Sequence, residues 1–346
     1  MVTIKDVAKR ASVSVSTASR ILSRATTEKF SESTQVRVYR ASLELGYRAN
    51  FAAQSLVSGE TRIIASVFPR IYGTPFTALA SVQILSGIEA FCSANGYHML
   101  LSSPRLIDGK VDSSFVNMLA GGYPDGIIID SHFQIDPIME VVQQFGIPTV
   151  ALGSLSHPYR LQSDNFLGGE LVMRHIVDLG HKHIGIIGVP DGVSPAADQR
   201  LMGMRIVTDE LGLEFDSLPR VNGNFSSDSG ASAATELITT HPELTAILAI
   251  NDRMAMGAIL QLQAMNYLIP EQLSITGYDD LSRAGEFNPS ITTINQQLAS
   301  WGELSMQMLL DVIAGQQPEP LVIQPRLIIR KSTAPCPIHD ISGANR

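Results

Sequence analysis

The stretch Thr3–Leu22, TIKDVAKRASVSVSTASRIL, decides how the N-terminal part of the chain folds. In its first half, apolar residues recur at i, i+3, i+4 and i+7, the spacing of one helix face, and Thr3 stands at the position of a helix cap. These residues are Ile4, Val7, Ala8 and Ala11. Ser14 can cap a second helix. Its apolar stripe is Val15, Ala18 and Leu22. Two short helices joined by a tight turn predict a helix-turn-helix.

The second helix has a polar outward face and basic residues nearby. They are Ser16, Thr17 and Arg20 on this helix, and Lys5, Lys9 and Arg10 on the first. Short polar side chains and one arginine can reach base edges in the DNA major groove while lysines meet phosphates. We therefore predict base contacts by Val15, Ser16 and Arg20, the last bidentate to a guanine. Spacing alone also fits a solvated helical hairpin.

The charge of the chain is unevenly distributed. The net charge is −8, but residues 1–59 hold nine Lys and Arg against four acids, which is +5 and leaves −13 for the remainder. A basic footprint confined to the N-terminal sixth predicts that DNA contact is limited to that part.

Composition restricts the class of protein. With 346 residues, 45% hydrophobic and 17% charged, the chain is globular and longer than one typical domain. It has no run of 18 apolar residues and no signal-peptide pattern, so we expect a cytoplasmic protein without a membrane partner. Cys92 and Cys336 are far apart and lack metal-ligand spacing. We expect no disulfide framework, metal or cofactor.

A third helix is predicted from a cap at Ser31 to Leu45, with Gly46 as its stop. Its apolar side is Val38, Ser42 and Leu45. The segment 48–59 follows, rich in Ala and ended by Ser-Gly. It is too short for a stable isolated helix but able to fold when docked.

The rest of the chain alternates strand and helix patterns. Strands are predicted near residues 63–68, 98–101, 126–129, 149–152, 183–187, 246–250, 274–277, 321–323 and 326–330. Helices are predicted near residues 79–94, 168–179, 199–211, 228–241 and 253–265. This alternation predicts an α/β fold of two doubly wound parallel-sheet subdomains, with a ligand cleft at the carboxyl ends of the strands.

Motifs along the chain resemble the LacI/GalR (lac repressor) family of transcriptional regulators. They are Thr3–Ala8, Val13–Ser14, Thr17–Arg20, Ser163–Asn165, Asn251–Ala258, Gly277–Asp280 and Thr292–Ile294. The resemblance implies a helix-turn-helix domain (1–47), a hinge helix (48–59), a regulatory domain of periplasmic-binding-protein type (60–335) and a tail (336–346). Its N-subdomain would span about 60–160 and 293–321, and its C-subdomain about 161–292 and 322–335.

The resemblance also implies which residues bind DNA. They are Thr3, Val15, Ser16, Thr17, Ser19 and Arg20 in the headpiece, and Asn50, Gln54 and Leu56 in the hinge. Leu56 stands where the family inserts an apolar wedge into the minor groove, although it could simply pack in a linker. Ala49 and Gln54 replace a common Pro and a common Arg. The expected partners are a pseudo-palindromic operator and a second copy of the chain, as a homodimer or tetramer.

For the small-molecule effector, the resemblance implies Phe76, Arg200, Phe225, Asn251 and Asp279. Carboxylate and amide groups can engage vicinal hydroxyls, Phe offers an apolar face and Arg a fork of donors, which suits a sugar or sugar derivative. Taken singly, Asn251 and Asp279 could be helix caps and Phe225 a core residue. Where some sugar-responsive members place an acid, this chain has ALGS at 151–154. The effector is therefore expected to differ from simple galactosides.

Two other functions remain open at this point, a sugar-binding protein without a DNA role and a sugar-metabolising enzyme. The sequence has no GxGxxG after a strand, no Walker loop, no GxSxG and no HExxH. We therefore predict no catalytic residues. The leading hypothesis is a DNA-binding regulator, a repressor, whose operator affinity is controlled by the effector.

Overall fold

A computed structural model describes residues 2–22, 30–47, 59–70, 76–133, 135–153 and 156–337. Contacts divide the chain into two compact units, Met1–Arg62 and Ile63–Arg346. The hinge prediction for 48–59 falls outside the described residues except at Gly59.

The first unit contains the predicted helix-turn-helix. Its helices are α1 (Ile4–Ala11), α2 (Val15–Leu22) and α3 (Glu32–Leu45). Their buried core is Val7, Ala8, Ala11, Ala18, Ile21, Val38 and Ala41. The predicted stripe of α2 was wrong in part, because Val15 is 42% exposed whereas Ile21 is fully buried. The buried face is centred between Ala18 and Ile21, so Val15 and Leu22 lie on its flanks.

Local hydrogen bonds explain where these helices begin and end. The backbone N–H of Thr3 donates to Asp6 Oδ2 at 2.8 Å, and its hydroxyl donates to the same oxygen at 2.7 Å. Ser14 Oγ accepts from the backbone N–H of Thr17 at 3.0 Å, which satisfies one free donor at the start of α2. Gly46 ends α3 at φ +64°, a left-handed conformation that favours glycine.

The first sheet of the second unit has six parallel strands. Their order is β13-β7-β6-β5-β1-β2. The strands are β1 (Ile63–Val67), β2 (His98–Ser102), β5 (Gly126–Asp130), β6 (Thr149–Leu152), β7 (Arg160–Ser163) and β13 (Leu321–Ile323). The first sheet shares one hydrophobic core with α4 (Leu79–Asn95) and α12 (Leu298–Ile313). It shares a second core with α5 (Ser113–Ala120) and α6 (Asp136–Gln144). A hairpin, β3 (Leu106–Ile107) and β4 (Lys110–Val111), follows β2. Burial on both faces explains the continuous apolar run of β5.

The second sheet has four parallel strands in the order β11-β10-β8-β9. They are β8 (Ile184–Gly188), β9 (Arg220–Asn222), β10 (Ala246–Ala249) and β11 (Ser274–Thr276). The helices are α7 (Asn165–Asp178), α8 (Pro195–Glu210), α9 (Ser227–Thr240), α10 (Asp252–Ala264) and the short α11 (Ser282–Glu286). An antiparallel pair, β12 (Thr293–Asn295) and β14 (Arg326–Ile328), lies beside β11, where Gly277 N–H donates to Thr292 O. The α/β class and the parallel sheets are as predicted.

The strands locate the three crossings between the subdomains. We predicted crossings near residues 161, 293 and 322. Because β7 and β13 pair with each other in the first sheet, the first and third crossings follow Ser163 and Ile323. Because β12 pairs with β14 beside the second sheet, the second crossing follows Asn295. Strands β7 and β9 were not among the predicted ones, since their polar and short sequences lack an apolar run.

Helices α7 and α8 cross closely at two glycines. A Cβ on Gly203 would lie 1.9 Å from the backbone oxygen of Phe166, and one on Gly169 would lie 2.0 Å from that of Arg200. Such contacts with backbone atoms leave no room for any side chain. Arg200 itself lies at this contact, because its backbone oxygen faces Gly169.

The C-terminal segment docks on the second subdomain as far as the structure describes it. Ala334 N–H donates to Ser274 Oγ at 3.1 Å, and Cys336 N–H donates to Leu179 O at 2.8 Å. Residue 336, which we assigned to the tail, is therefore hydrogen-bonded to the domain.

Candidate functional site

Four of the six DNA-binding residues predicted for the headpiece lie on one exposed surface of α2. Val15, Ser16, Ser19 and Arg20 are exposed, and Thr3 is exposed at the start of α1. Thr17 is half-buried, and its hydroxyl lies 2.8 Å from Ser14 Oγ. Thr17 therefore contributes to the cap at the start of α2 and is also partly accessible on the predicted DNA-binding face. Asn50, Gln54 and Leu56 lie outside the described residues.

The second subdomain brings together four of the five predicted effector residues. Phe225 follows β9, Asn251 follows β10, Asp279 follows β11, and Arg200 lies in the middle of α8. Parallel strands end at the same edge of a sheet, so residues that follow neighbouring strands converge there. Phe76 is 68% exposed, whereas Arg200, Asn251 and Asp279 are buried.

Arg200 is buried, and two of its five N–H donors make hydrogen bonds to protein oxygens. Its Nε donates to Asn165 Oδ1 at 2.9 Å, and its Nη1 donates to Ile250 O at 2.6 Å. The guanidinium carbon lies 3.7 Å from the centroid of the Tyr278 ring. Nη1 is 3.9 Å from Asp279 Oδ1, too long for a hydrogen bond but close enough for charge attraction. The guanidinium is thus a fixed positive charge beneath the cleft.

Asp279 is the carboxylate of this site. Its backbone has φ +117°, and it is 8% exposed. Its Oδ1 accepts from Gln296 Nε2 at 2.7 Å. Burial raises the pKa of Asp279 to about 6, although the Arg200 charge and the Gln296 hydrogen bond oppose the shift. Burial and the nearby Asp279 charge raise the pKa of Asp252 well above its usual range.

These shifts predict how stability depends on pH. The folded pKa of Asp279 lies above the value of about 4 for an unfolded Asp, so the folded state binds more protons between these two values. The free energy of unfolding should therefore fall as pH rises from about 4 to about 6, by about 3 kcal/mol for this group. Urea unfolding at pH 4 and pH 7 should show a larger loss for the parent than for Asp279→Asn. Equal losses would contradict a raised pKa at Asp279.

Asn251 has both of its suggested roles available. Its Oδ1 accepts from the backbone N–H of Met254 at 2.9 Å, which caps α10. Its Nδ2 donates to Phe225 O at 3.2 Å, which leaves one amide hydrogen and one lone pair for a ligand. The capping role that the sequence left open is therefore real.

Two aromatic residues meet across the cleft. Phe225, at φ +65°, packs against the second-subdomain core on one side. On the other side its ring meets that of Phe133, which follows β5, in an edge-to-face contact with centroids 5.6 Å apart. Phe133 also lines a cavity of about 470 Å³ beside the cleft, together with Gly153 and Pro195. None of the predicted effector residues lines this cavity.

The first subdomain contributes residues that the sequence reasoning missed. His132 Nδ1 lies 2.5 Å from Asp130 Oδ1, and its ring stacks on Trp301 with centroids 5.6 Å apart. A Cβ on Gly153 would lie 2.5 Å from the His132 ring, so the absence of a side chain there makes room for the imidazole. On the second subdomain, Asn165 and Tyr278 were inside quoted motifs but were not assigned to the site.

The part of the chain that the structure describes shows neither a metal site nor a membrane-spanning helix. No group of three or more His, Cys, Asp and Glu there is arranged to hold a metal ion. No helix within those ranges is long and apolar enough to cross a membrane.

Comparison with known proteins supports the fold. Residues 3–50 match the family described as bacterial regulatory proteins, lacI family, and residues 173–333 match the periplasmic binding protein-like domain. The chain is 30% identical to the HTH-type transcriptional repressor PurR of Escherichia coli O139:H28, over 98% of this chain and 99% of that protein.

Solved structures of transcriptional regulators share the fold of this chain. The lac repressor dimer bound to operator and the anti-inducer ONPF aligns with a TM-score of 0.80 at 25% identity, over 96% of this chain and 99% of that one. The complex of the transcriptional regulator CelR with cellobiose aligns at 0.71 and 28% identity, over 96% and 100%. The chain combines a helix-turn-helix unit with a periplasmic-binding-protein-like unit, and these relatives are transcriptional regulators. The protein is therefore a DNA-binding transcriptional regulator. The chain belongs to the lacI family of bacterial regulatory proteins.

Proposed function

We propose that the protein represses transcription by binding a pseudo-palindromic operator as a homodimer, and that a small polyhydroxylated molecule in the cleft controls its operator affinity. The observation that carries the proposal is the convergence of Arg200, Asn251, Asp279 and Phe225 at the carboxyl ends of the second sheet. Phe133 and His132 of the first subdomain lie on the opposite side. A ligand held by both sides would favour one arrangement of the subdomains.

The chemistry of the cleft favours a sugar or sugar derivative. Asp279 keeps an oxygen that can accept from a hydroxyl, and Asn251 keeps one donor and one acceptor position. The ring of Phe225 offers an apolar face of the kind on which a sugar ring can pack. The CelR relative, whose complex contains cellobiose, supports the same class of ligand.

We also propose that the ligand is bound without chemical change, and that the protein acts in the cytoplasm, where operator DNA lies. The relatives with these folds are transcriptional regulators. Recovery of an unaltered ligand after incubation with the protein tests the first proposal, and release of a product would overturn it.

A thermal-shift screen against sugars, sugar acids and nucleobases tests the class of effector. A ligand present at ~100 Kd should add about 2.7 kcal/mol to the stability of the folded protein. Each hit is then tested for its effect on the affinity for an operator selected from random-sequence duplexes. Hits that leave operator affinity unchanged would contradict the proposal.

Arg20→Ala should weaken operator binding in a sequence-dependent way. Loss of a bidentate contact to a guanine costs about 1–3 kcal/mol and relaxes the preference at one base pair. Gel-shift titrations with operators substituted at each position measure this. Lys9→Ala is the matched control, because loss of a phosphate contact weakens all sequences alike. Uniform weakening by Arg20→Ala would assign Arg20 to a phosphate instead.

Asp279→Ala should separate operator binding from the response to the effector. The substitution removes the main carboxylate acceptor of the cleft and leaves the helix-turn-helix unit unchanged, so operator binding without effector should persist while the response to effector is lost. Linkage requires that operator DNA shift effector affinity in the parent by the same factor that effector shifts operator affinity. Loss of operator binding in a variant that melts like the parent would refute the separation.

A further inference from the structure

Gln296 connects the carboxylate of the cleft to the segment that crosses between the subdomains. It is the first residue after β12 and is 4% exposed. Its side-chain Nε2 donates to Asp279 Oδ1 at 2.7 Å. Its backbone oxygen accepts from the indole Nε1–H of Trp301 at 2.9 Å. One residue therefore contacts the cleft through its side chain and α12 through its backbone.

Trp301 continues this connection into the first subdomain. The indole is fully buried, within the core that α4 and α12 share with the first sheet. Its ring stacks on His132 at an interplanar angle of 24°. His132 in turn opposes the rise in the pKa of Asp279. Asp279, Gln296, Trp301 and His132 thus form a chain of contacts that joins the two subdomains.

The backbone at this crossing is tightly held. Gln297 has φ +56°, which a non-glycine residue rarely adopts, and precedes the first residue of α12. Its side-chain Nε2 donates to Gln324 O in the third crossing at 3.0 Å. Asn295 Nδ2 donates to Asp280 Oδ2 at 2.6 Å. The second crossing, which contains residue 296, is therefore hydrogen-bonded to the third.

We propose that Gln296 is a positioning residue that transmits the state of Asp279 to the crossing segments and to Trp301. This inference rests on the proposed function, since it gives the route by which a ligand at Asp279 biases the arrangement of the subdomains. A ligand hydroxyl that donates to Asp279 competes with, or adds to, the amide of Gln296 at the same carboxylate. The side chain of Gln296 is bonded to Asp279 and its backbone oxygen is bonded to Trp301, so a shift of the side chain is passed to the backbone. This backbone belongs to a crossing segment, which must move when the subdomains reorient.

The inference can be tested without DNA or effector, because Trp301 is the only tryptophan of the chain. Gln296→Met keeps the length of the side chain and the backbone acceptor of Trp301 but removes the amide donor to Asp279. Gln307→Met is the matched control, because Gln307 lies on the exposed face of α12. Asp279→Asn, introduced into the parent and into both variants, supplies the perturbation at the cleft.

We expect Asp279→Asn to shift the Trp301 emission in the parent and equally in Gln307→Met. The shift should be lost in Gln296→Met. Hydrogen exchange should follow the same pattern, with Asp279→Asn changing the rates at residues 296–301 and 324–326 only when Gln296 is present. A purely structural role for Gln296 would lower the melting temperature but leave the response to Asp279→Asn intact.

Two results would overturn the inference. One is an emission that does not respond to Asp279→Asn in the parent. The other is a response of equal size in Gln296→Met, which would route the signal through His132 or through the packing of the sheet. Both are distinct from failure of the proposed function, which would appear as absent operator binding or as an effector without influence on operator affinity.

Discussion

Arg200→Ala should destabilise the second unit by about 3–5 kcal/mol, because it removes one member of a buried ion pair and leaves the other charge without compensation. Arg200 is 6% exposed, and Asp279 at 3.9 Å is equally enclosed. The substitution also removes the donor to Ile250 O and the cation above the Tyr278 ring. Urea unfolding followed by far-UV circular dichroism measures the loss.

The control for this prediction lies on the same helix. Glu210 of α8 pairs with Arg174 of α7 through a single hydrogen bond, and both side chains are about half exposed. Exposed ion pairs of this kind contribute little to stability, so Glu210→Ala should leave the urea midpoint close to that of the parent. If both substitutions shift the midpoint equally, burial is not what makes Arg200 important. Arg200→Ala should in addition abolish the thermal shift given by any ligand of the cleft.

Gly203→Ala is the second substitution with a large expected effect. The added Cβ would lie 1.9 Å from the backbone oxygen of Phe166, and a backbone atom cannot move aside as a flexible side chain can. Helices α7 and α8 would have to separate, at a cost at the upper end of the range of about 1–3 kcal/mol for overpacking. Because α8 carries Arg200, effector affinity should fall as well.

Met202→Ala tests whether this result is specific to the helix crossing. Met202 precedes Gly203 and is 57% exposed, so its truncation should change stability by no more than about 0.5 kcal/mol. Thermal unfolding and ligand titration of both variants give the comparison. A Gly203→Ala variant as stable as the parent would mean that α7 and α8 can separate without strain.

The sequence predicted the parts of the molecule that repeat a local pattern. The headpiece helices and most parallel strands follow from apolar spacing and caps such as Ser14 and Gly46, because these signals act within a few residues of the chain. The strand β7 was not predicted, because its sequence, RLQS, gives little periodic signal and its pairing with β13 joins segments far apart in the chain.

The candidate site shows the same limit. Arg200, Asn251 and Asp279 could be assigned from family motifs, whereas His132, Gln296 and Trp301 could not. Their importance comes from contacts between segments distant in the sequence, such as the stacking of His132 on Trp301. Phe76 was predicted as an effector contact, and that assignment stays a prediction. The apolar stripe predicted for α2 was wrong at Val15, which is largely outside the core. Neighbouring residues of a helix point in directions about 100° apart, so a small error in the centre of the buried face moves a residue from the core to its edge.

The cap formed by Asn251 limits how the specificity of this regulator can be redesigned. The same side chain caps α10 and is a proposed effector contact, so a substitution that adapts the cleft to another effector also removes the capping hydrogen bond of a helix that packs in the core. Phe133 is not the cap of the helix that follows it, because Ile135 holds that position at α6. Libraries that diversify Phe133, Phe225 and His132 should therefore yield folded variants with new effectors more often than libraries that diversify Asn251.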